Sequence, residues 1–131
     1  MNLDHLGLAV KSLADSTPKW ERLMGTSASP PEEVVSQRVR VSFLKADSMH
    51  LELLEPMVTD SPVGRFLAAR GEAMHHVAFA VPSVDRELAE LVGRGERVID
   101  RHGRPGARGR IIGFAHPAAF NGVLVEFVEI P

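Results

Sequence analysis

The sequence predicts an α+β fold built from two paired βαβββ modules, and an internal repeat is the reason. Residues 3–10 and residues 74–81 each form a run of alternating apolar residues that contains a histidine, which is typical of a strand. The two copies also end alike, with Leu-Glu-Leu-Leu-Glu-Pro at 51–56 and Val-Glu-Phe-Val-Glu-Ile-Pro at 125–131. Two similar beginnings and two similar ends indicate two copies of one module.

Both histidine-bearing strands place small residues beside the histidine. Because side chains alternate along a strand, His5 shares one face with Gly7 and Ala9, and His76 shares its face with alanines. Bulky neighbours would fill the space that a ligand needs. We therefore expect this face to line a cavity and the opposite face to belong to the core.

The helices are predicted from the residues at their ends. Ser12 stands in capping-box spacing with an acidic residue, and Gly25 is a typical C-terminal stop, so a helix is expected over about 12–24. Its counterpart in the second copy is expected over about 83–93. A linking helix over 61–70 has a proline just inside its start and a glycine just past its end.

Further strands complete each module. The expected strands cover 39–46 and 49–55 in the first module, and 97–101, 110–115 and 123–129 in the second. The Pro-Pro-Glu-Glu stretch at 30–33 is expected to be a loop. Glu55 and Glu129 each follow the glutamate of their strand by three residues, so they face the other way and are expected to be solvated strand ends.

The chain length decides how the modules are organised. With 131 residues the chain fits one ordinary domain, whereas a half of roughly 65 residues would bury little surface alone. We therefore expect a single domain over residues 1–131. Module one occupies about 1–60 and module two about 72–131, and the two share a core.

The composition excludes several classes of protein. Hydrophobic residues make up 44% and charged residues 24%, which is typical of a soluble globular protein, and a net charge of −2 gives no reason to expect nucleic acid as a partner. No stretch approaches the roughly 20 apolar residues of a membrane helix. The first residues lack the basic and apolar segments of a signal peptide, so a cytoplasmic location is expected. Zero cysteines exclude disulfides and thiolate ligands.

Two histidines and two glutamates occupy equivalent places in the repeat. The histidine-to-glutamate separation is 47 positions from His5 to Glu52 and 50 positions from His76 to Glu126. If the modules pair about a pseudo-twofold axis, these side chains converge. Two imidazoles and two carboxylates predict a site for one divalent metal ion with nitrogen and oxygen ligands.

Three short motifs stand out along the chain: an Asp-Ser-Pro segment at 60–62, a double histidine at 75–76, and a His-Pro pair before Gly-Val-Leu-x-Glu within 116–126. Further characteristic segments lie at 4–10, 52–56, 66–67, 70–72 and 106–109. Together these motifs resemble the vicinal oxygen chelate, or glyoxalase, superfamily over nearly the whole chain. The first three are similar to the methylmalonyl-CoA epimerase family in particular.

The resemblance implies a fold and a cofactor. It implies that the paired modules form a curved half-barrel around the metal site, often in a homodimer. It also implies that His5, Glu52, His76 and Glu126 are the metal ligands. The ion is expected to be Co²⁺, with Mn²⁺, Ni²⁺ or Zn²⁺ as alternatives.

The implied reaction is the epimerisation of methylmalonyl-CoA, an acyl-CoA thioester, through an enediolate. One base removes the acidic α-proton and a second returns a proton on the opposite face. Some epimerases place a proposed catalytic glutamate where this sequence has Val41, which cannot carry a proton. We therefore assign proton transfer to Glu126 and Glu52.

Candidate substrate contacts come from a loop and from motif positions. Five arginines lie among glycines between 97 and 110, and guanidinium groups and exposed backbone N–H groups suit the phosphates of coenzyme A. Arg104 and Arg108 are the loop residues expected to bind substrate. Gln37 and His116 join them because the resemblance places similar residues near the site.

Two other functions remain as alternatives. A lactoylglutathione lyase has the same four-ligand site and enediolate chemistry, but it recognises glutathione. A drug-binding resistance protein has the same fold and no chemistry, and such proteins usually lack the full ligand set. An extradiol dioxygenase normally uses two histidines and one carboxylate, so it fits these residues less well.

Overall fold

The computed structural model describes all of residues 1–131 and is an α+β fold of eight β-strands and three α-helices. The strands are β1 (Asn2–Ala9), β2 (Glu32–Val34), β3 (Val39–Ala46), β4 (Met49–Pro56), β5 (Ala73–Val81), β6 (Arg104–Pro105), β7 (Ile111–Ala115) and β8 (Val125–Glu129). The helices are α1 (Leu13–Met24), α2 (Pro62–Arg70) and α3 (Val84–Gly93). None of them is long and apolar enough to cross a membrane.

The chain divides into two compact units, His5–His75 and the remainder, Met1–Asp4 with His76–Pro131. In the first unit the strands run in the order β2-β3-β4-β1, with β1 parallel to β4 and the other pairs antiparallel. In the second unit the order β5-β8-β7-β6 repeats this plan, with β5 parallel to β8. The predicted βαβββ repeat is therefore present in the strand pairing.

The three predicted helices are confirmed. The hydroxyl of Ser12 accepts a hydrogen bond from the backbone N–H of Asp15 at 3.2 Å, and α1 ends at Gly25, whose φ of 68° is the left-handed conformation that glycine adopts readily. Ser83 caps α3 in the same way. Ser61 caps α2, which has proline at its first position.

The strand faces opposite the histidines pack against the helices, as predicted. In the first unit Leu13 of α1 lies in one buried cluster with Leu44 and Leu53 of the sheet. In the second unit Leu88 of α3 lies in a cluster with Phe127 of β8. Burying apolar helix and sheet surface against each other is the main stabilising contribution in each unit.

Two strand predictions are wrong. The segment 97–101 forms no regular strand; Val98 makes only an isolated bridge to Ala115, because two successive N–H groups, of Ile99 and Asp100, donate to the carbonyl of Phe114. Residues 30–33 are not wholly a loop, since Glu32–Val34 adds an edge strand to β3. Tertiary pairing decides both segments, where local sequence preference is weak.

A third correction concerns the strand-end glutamates. Glu55 accepts a hydrogen bond from the backbone N–H of Leu13, and Glu129 accepts one from the backbone N–H of Val84, each at 3.2 Å. Both glutamates therefore bind the first residue of a helix instead of ending in solvent. The N–H groups in the first turn of a helix have no partner within the helix, so a carboxylate there is stabilising.

Candidate metal centre

The first unit holds one buried histidine–glutamate pair. β1 lies parallel to β4 with Gly7 opposite Glu52, so His5 and Glu52 project from the same face. His5 Nε2 lies 3.3 Å from Glu52 Oε1, and the two residues are only 3% and 6% exposed. The residue opposite the carboxylate is a glycine, which places no side chain beside it.

The second unit repeats this arrangement. β5 lies parallel to β8 with Ala78 opposite Glu126. His76 Nε2 lies 3.6 Å from Glu126 Oε1, and both residues are buried. Each histidine is therefore beside the glutamate that the repeat assigns to it.

The donor set fits a divalent metal ion. Burying a carboxylate is unfavourable unless it is paired, hydrogen-bonded or bound to a metal. His5, Glu52 and His76 are buried, and each offers one atom that a metal ion accepts as a ligand. Donor atoms that bind one ion at about 2.0–2.2 Å lie about 3 Å apart, which is close to the separation within each pair.

Sequence reasoning missed two aromatic neighbours of these pairs. The ring of Phe43 meets the ring of His5 edge-on, with centroids 5.8 Å apart and planes at 86°. Phe114 meets His76 at the same 5.8 Å and at 88°. The available signal was the repeat, because Phe114 follows Phe43 by 71 positions (43 to 114), as His76 follows His5 (5 to 76).

The predicted substrate-binding arginines are ion-paired within the second unit. Arg104 Nε lies 3.1 Å from Asp100 Oδ1. Arg108 Nη2 and Arg110 Nη1 each lie 2.9 Å from a different oxygen of Asp4. The loop therefore has less net positive charge than a count of its arginines indicates.

The remaining predicted residues lie at local turns. Gln37 is half-buried and ends a short 3-10 helix, Val35–Gln37. His116 Nδ1 accepts a hydrogen bond from the backbone N–H of Ala118 at 2.9 Å, which leaves Nε2 as its other ring nitrogen. Val41, which stands at the position of the expected glutamate, is 1% exposed within β3.

Comparison with known proteins identifies relatives over almost the full chain. Residues 4–114 match the model of the Glyoxalase/Bleomycin resistance protein/Dioxygenase superfamily. An uncharacterised protein of Bacillus subtilis is 42% identical over 97% of this chain and 91% of its own length. The ethylmalonyl-CoA/methylmalonyl-CoA epimerase of Cereibacter sphaeroides is 30% identical over 98% of this chain and 97% of its own.

Solved structures give the same relationship. A variant of the Streptomyces coelicolor methylmalonyl-CoA epimerase, in complex with 2-nitronate-propionyl-CoA, superposes with a TM-score of 0.92 at 35% sequence identity. The match covers 98% of this chain and 94% of that one. The α+β fold is therefore the glyoxalase-like fold.

Proposed function

We propose a function from one premise: the chain belongs to the glyoxalase/bleomycin resistance protein/dioxygenase superfamily. The proposed function is that of a metal-dependent isomerase that epimerises methylmalonyl-CoA. The observation that carries it is the buried histidine–glutamate pair present once in each unit, at 3.3 Å and 3.6 Å. The epimerases among its relatives support the substrate class.

The proposed ligands of one divalent ion are His5, Glu52, His76 and Glu126. Co²⁺ is the favoured ion, and Mn²⁺, Ni²⁺ and Zn²⁺ have compatible ligand preferences. A bound divalent ion supplies electrostatic stabilisation of the negative charge that develops on the substrate oxygens, a contribution of several kcal/mol. The four protein groups supply two imidazole nitrogens and two carboxyl groups as ligands.

The proposed proton-transfer groups are Glu126 and Glu52. One carboxylate takes the proton from the carbon between the carboxylate and the thioester of the substrate, and the electron pair of that C–H bond moves into the enediolate. The second group, as a carboxylic acid, returns a proton to the opposite face of the carbon. The reaction is an isomerisation, so no oxidant or reductant is consumed, and general acid–base transfer of this kind contributes about 10²–10⁴-fold.

The proposed substrate contacts are Gln37, Arg104, Arg108 and His116. Guanidinium groups bind phosphates well, and the coenzyme A part of the substrate carries three phosphate groups. The fixed Nδ1 acceptor of His116 leaves its Nε2 as a donor in the neutral ring. We also propose that the two modules act as a single domain, in a homodimer, and that the protein works in the cytoplasm.

Solvent deuterium incorporation into methylmalonyl-CoA, followed by mass spectrometry, tests this function. The samples are the Co²⁺-loaded protein, the chelator-stripped protein and the Co²⁺-loaded Glu126→Gln variant, with Glu87→Gln, at a half-buried glutamate of α3, as a control. We expect incorporation that requires the metal, that is at least 100-fold slower in Glu126→Gln for the epimer whose α-proton Glu126 removes, and that is unchanged in Glu87→Gln.

Absence of incorporation in every Co²⁺-loaded sample would overturn the epimerase function. The methylglyoxal–glutathione hemithioacetal would then be the next substrate, as a test of the lactoylglutathione lyase alternative. A metal-free protein that binds a glycopeptide would instead support the drug-binding alternative.

A further inference from the structure

Each proposed ligand pair has an aromatic neighbour on an adjacent strand. In the antiparallel pairing of β3 with β4, Phe43 stands directly opposite Glu52, and in that of β7 with β8, Phe114 stands directly opposite Glu126. Directly opposed residues on antiparallel strands project from the same face and have Cβ atoms about 4.5–5.5 Å apart. Each phenylalanine therefore lies beside the glutamate of its pair.

The same phenylalanines also make edge-on ring contacts with the histidines. The ring centroids of Phe43 and His5, and of Phe114 and His76, are separated by 5.8 Å in both units, with planes at 86° and 88°. Edge-to-face contacts of this kind are favourable beyond the apolar area that they bury. In each pair, one phenylalanine thus contacts the histidine and stands opposite the glutamate across the strands.

The backbone of each phenylalanine is fixed by an equivalent hydrogen bond. The N–H of Phe43 donates to Ser29 Oγ at 2.8 Å, and the N–H of Phe114 donates to Asp100 Oδ2 at 2.9 Å. Both bonds span 14 residues of chain. The acceptor is a serine in one module and an aspartate in the other. The backbone hydrogen bond of the phenylalanine is nevertheless present in both modules.

Each phenyl ring has a further neighbour besides the histidine of its pair. His50 lies edge-on to Phe43 with centroids 6.0 Å apart. Arg104 places its guanidinium carbon 5.7 Å from the centroid of Phe114, and Asp100 accepts from both Arg104 and the Phe114 backbone. Each phenylalanine is therefore fixed by a backbone hydrogen bond and contacted by a second side chain.

We propose that Phe43 and Phe114 are positioning residues that fix the imidazole planes of His5 and His76 for metal binding. The χ2 torsion of histidine is broad and roughly two-fold, so the ring plane has to be set by its neighbours. An edge-on phenyl ring beside the imidazole sets this plane and keeps Nε2 directed at the carboxylate. The inference rests on the proposed metal centre and adds to it two residues that do not themselves bind the ion.

The test is Co²⁺ binding by the wild type and by Phe43→Leu and Phe114→Leu. Phe127→Leu is the matched control, because Phe127 is buried to 4% exposure and adjoins Glu126 in sequence, but packs in the cluster with α3. Calorimetry gives the dissociation constant, and the visible absorption of bound Co²⁺ reports its coordination. Thermal unfolding of the metal-free proteins shows how much stability each variant loses.

We expect Co²⁺ to bind about 10-fold more weakly to Phe43→Leu and Phe114→Leu, with an altered absorption spectrum, because changes around metal ligands typically cost 10–100-fold in affinity. Phe127→Leu is expected to lose stability but to keep the wild-type affinity and spectrum. If a leucine variant fails to fold, Phe43→Met or Phe114→Met also removes the ring, and the flexible methionine side chain adapts better to an irregular space.

Two results would overturn the inference and can be told apart. Wild-type affinity and spectrum in the folded ring-deletion variants would show that the rings do not position the histidines, while leaving the metal centre intact. Failure of the wild type to bind Co²⁺ would overturn the proposed metal centre itself, and this inference with it.

Discussion

Glu129 accepts a hydrogen bond from the backbone N–H of Val84, the first residue of α3, at 3.2 Å. Glu55 makes the same bond to Leu13 at the start of α1. In both modules the last glutamate of the sheet is thus joined to the start of the helix that packs behind it. Ser12 and Ser83 cap the same helices, so each helix start has two side-chain acceptors.

Removing the carboxylate at either position is expected to destabilise the protein. Glu129→Ala and Glu55→Ala should each lower the free energy of unfolding by about 1 kcal/mol, the usual effect of losing a side-chain acceptor at a helix N-terminus. Urea unfolding followed by circular dichroism measures this. Glu129→Gln keeps an acceptor oxygen and should lose less, and equal losses in the Ala and Gln variants would contradict the hydrogen-bond explanation.

Two bases on opposite faces of the substrate leave a distinct kinetic signature. If Glu126 and Glu52 each serve one face, each single variant keeps one base. Glu126→Gln should then exchange the α-proton of one epimer with solvent, and Glu52→Gln that of the other epimer. Neither variant should convert one epimer into the other. Proton NMR in deuterated water, starting from each pure epimer, measures this. The metal content of each variant has to be determined in parallel, since both residues are also proposed ligands.

A single variant that exchanges both epimers at equal rates, with its metal retained, would contradict the two-base assignment. Glu33→Gln provides a control, because Glu33 is exposed on strand β2 and pairs with Arg40 at 3.6 Å. It should behave as the wild type does with both epimers.

Metal binding should stabilise the fold. A ligand that binds only the folded state at 100 times its dissociation constant adds about 2.7 kcal/mol to the free energy of unfolding. The thermal midpoint should therefore rise when Co²⁺ is added to chelator-treated protein, and it should rise much less in His5→Gln or His76→Gln. His102→Gln changes an exposed histidine and should keep the full increase; the same shift in all four proteins would argue against the proposed ligands.

Two helical glycines should respond in opposite directions to the same substitution. A Cβ at Gly64 would lie against the backbone carbonyl oxygens of Thr59 and Val58, whereas one at Gly93 meets nothing within 4 Å. Gly64→Ala should lower the free energy of unfolding by about 1–3 kcal/mol through overpacking, and Gly93→Ala should raise it by about 0.5–1 kcal/mol. Urea unfolding measures both changes. An unchanged free energy of unfolding in Gly64→Ala would contradict the packing around α2.

Local signals in the sequence predicted most of the elements. Ser12 and Gly25 mark the ends of α1 because capping depends on residues adjacent in the chain, and the structure confirms both. The segment 97–101 was predicted wrongly, because its partners Phe114 and Ala115 are 14 or more residues away in the chain and the pairing is irregular. Such irregular pairing between distant segments produces no periodic pattern in the sequence from which it could be predicted.

The candidate site was predicted only as far as its chemistry is visible in residue types. Histidine and glutamate are residue types that commonly bind metal ions, so the repeat was enough to single out His5 and Glu52 as candidates. Phe43 looks like any apolar strand residue, and its contact with His5 depends on the register of three strands. The same holds for Glu129, whose partner Val84 is remote in sequence and near only in the folded unit.

The spacing between equivalent residues of the two modules changes between Phe114 and Glu126. Up to Phe114 the second module follows the first by 71 positions, whereas Glu126 follows Glu52 by 74 (52 to 126). The added length falls in the connection that carries His116 and the short helix Pro117–Ala119; in the first module, β3 and β4 are joined by two residues. The two modules are therefore not equivalent here. Because this connection carries His116, a proposed substrate contact, we expect changes in it to alter substrate preference while both histidine–glutamate pairs stay as they are.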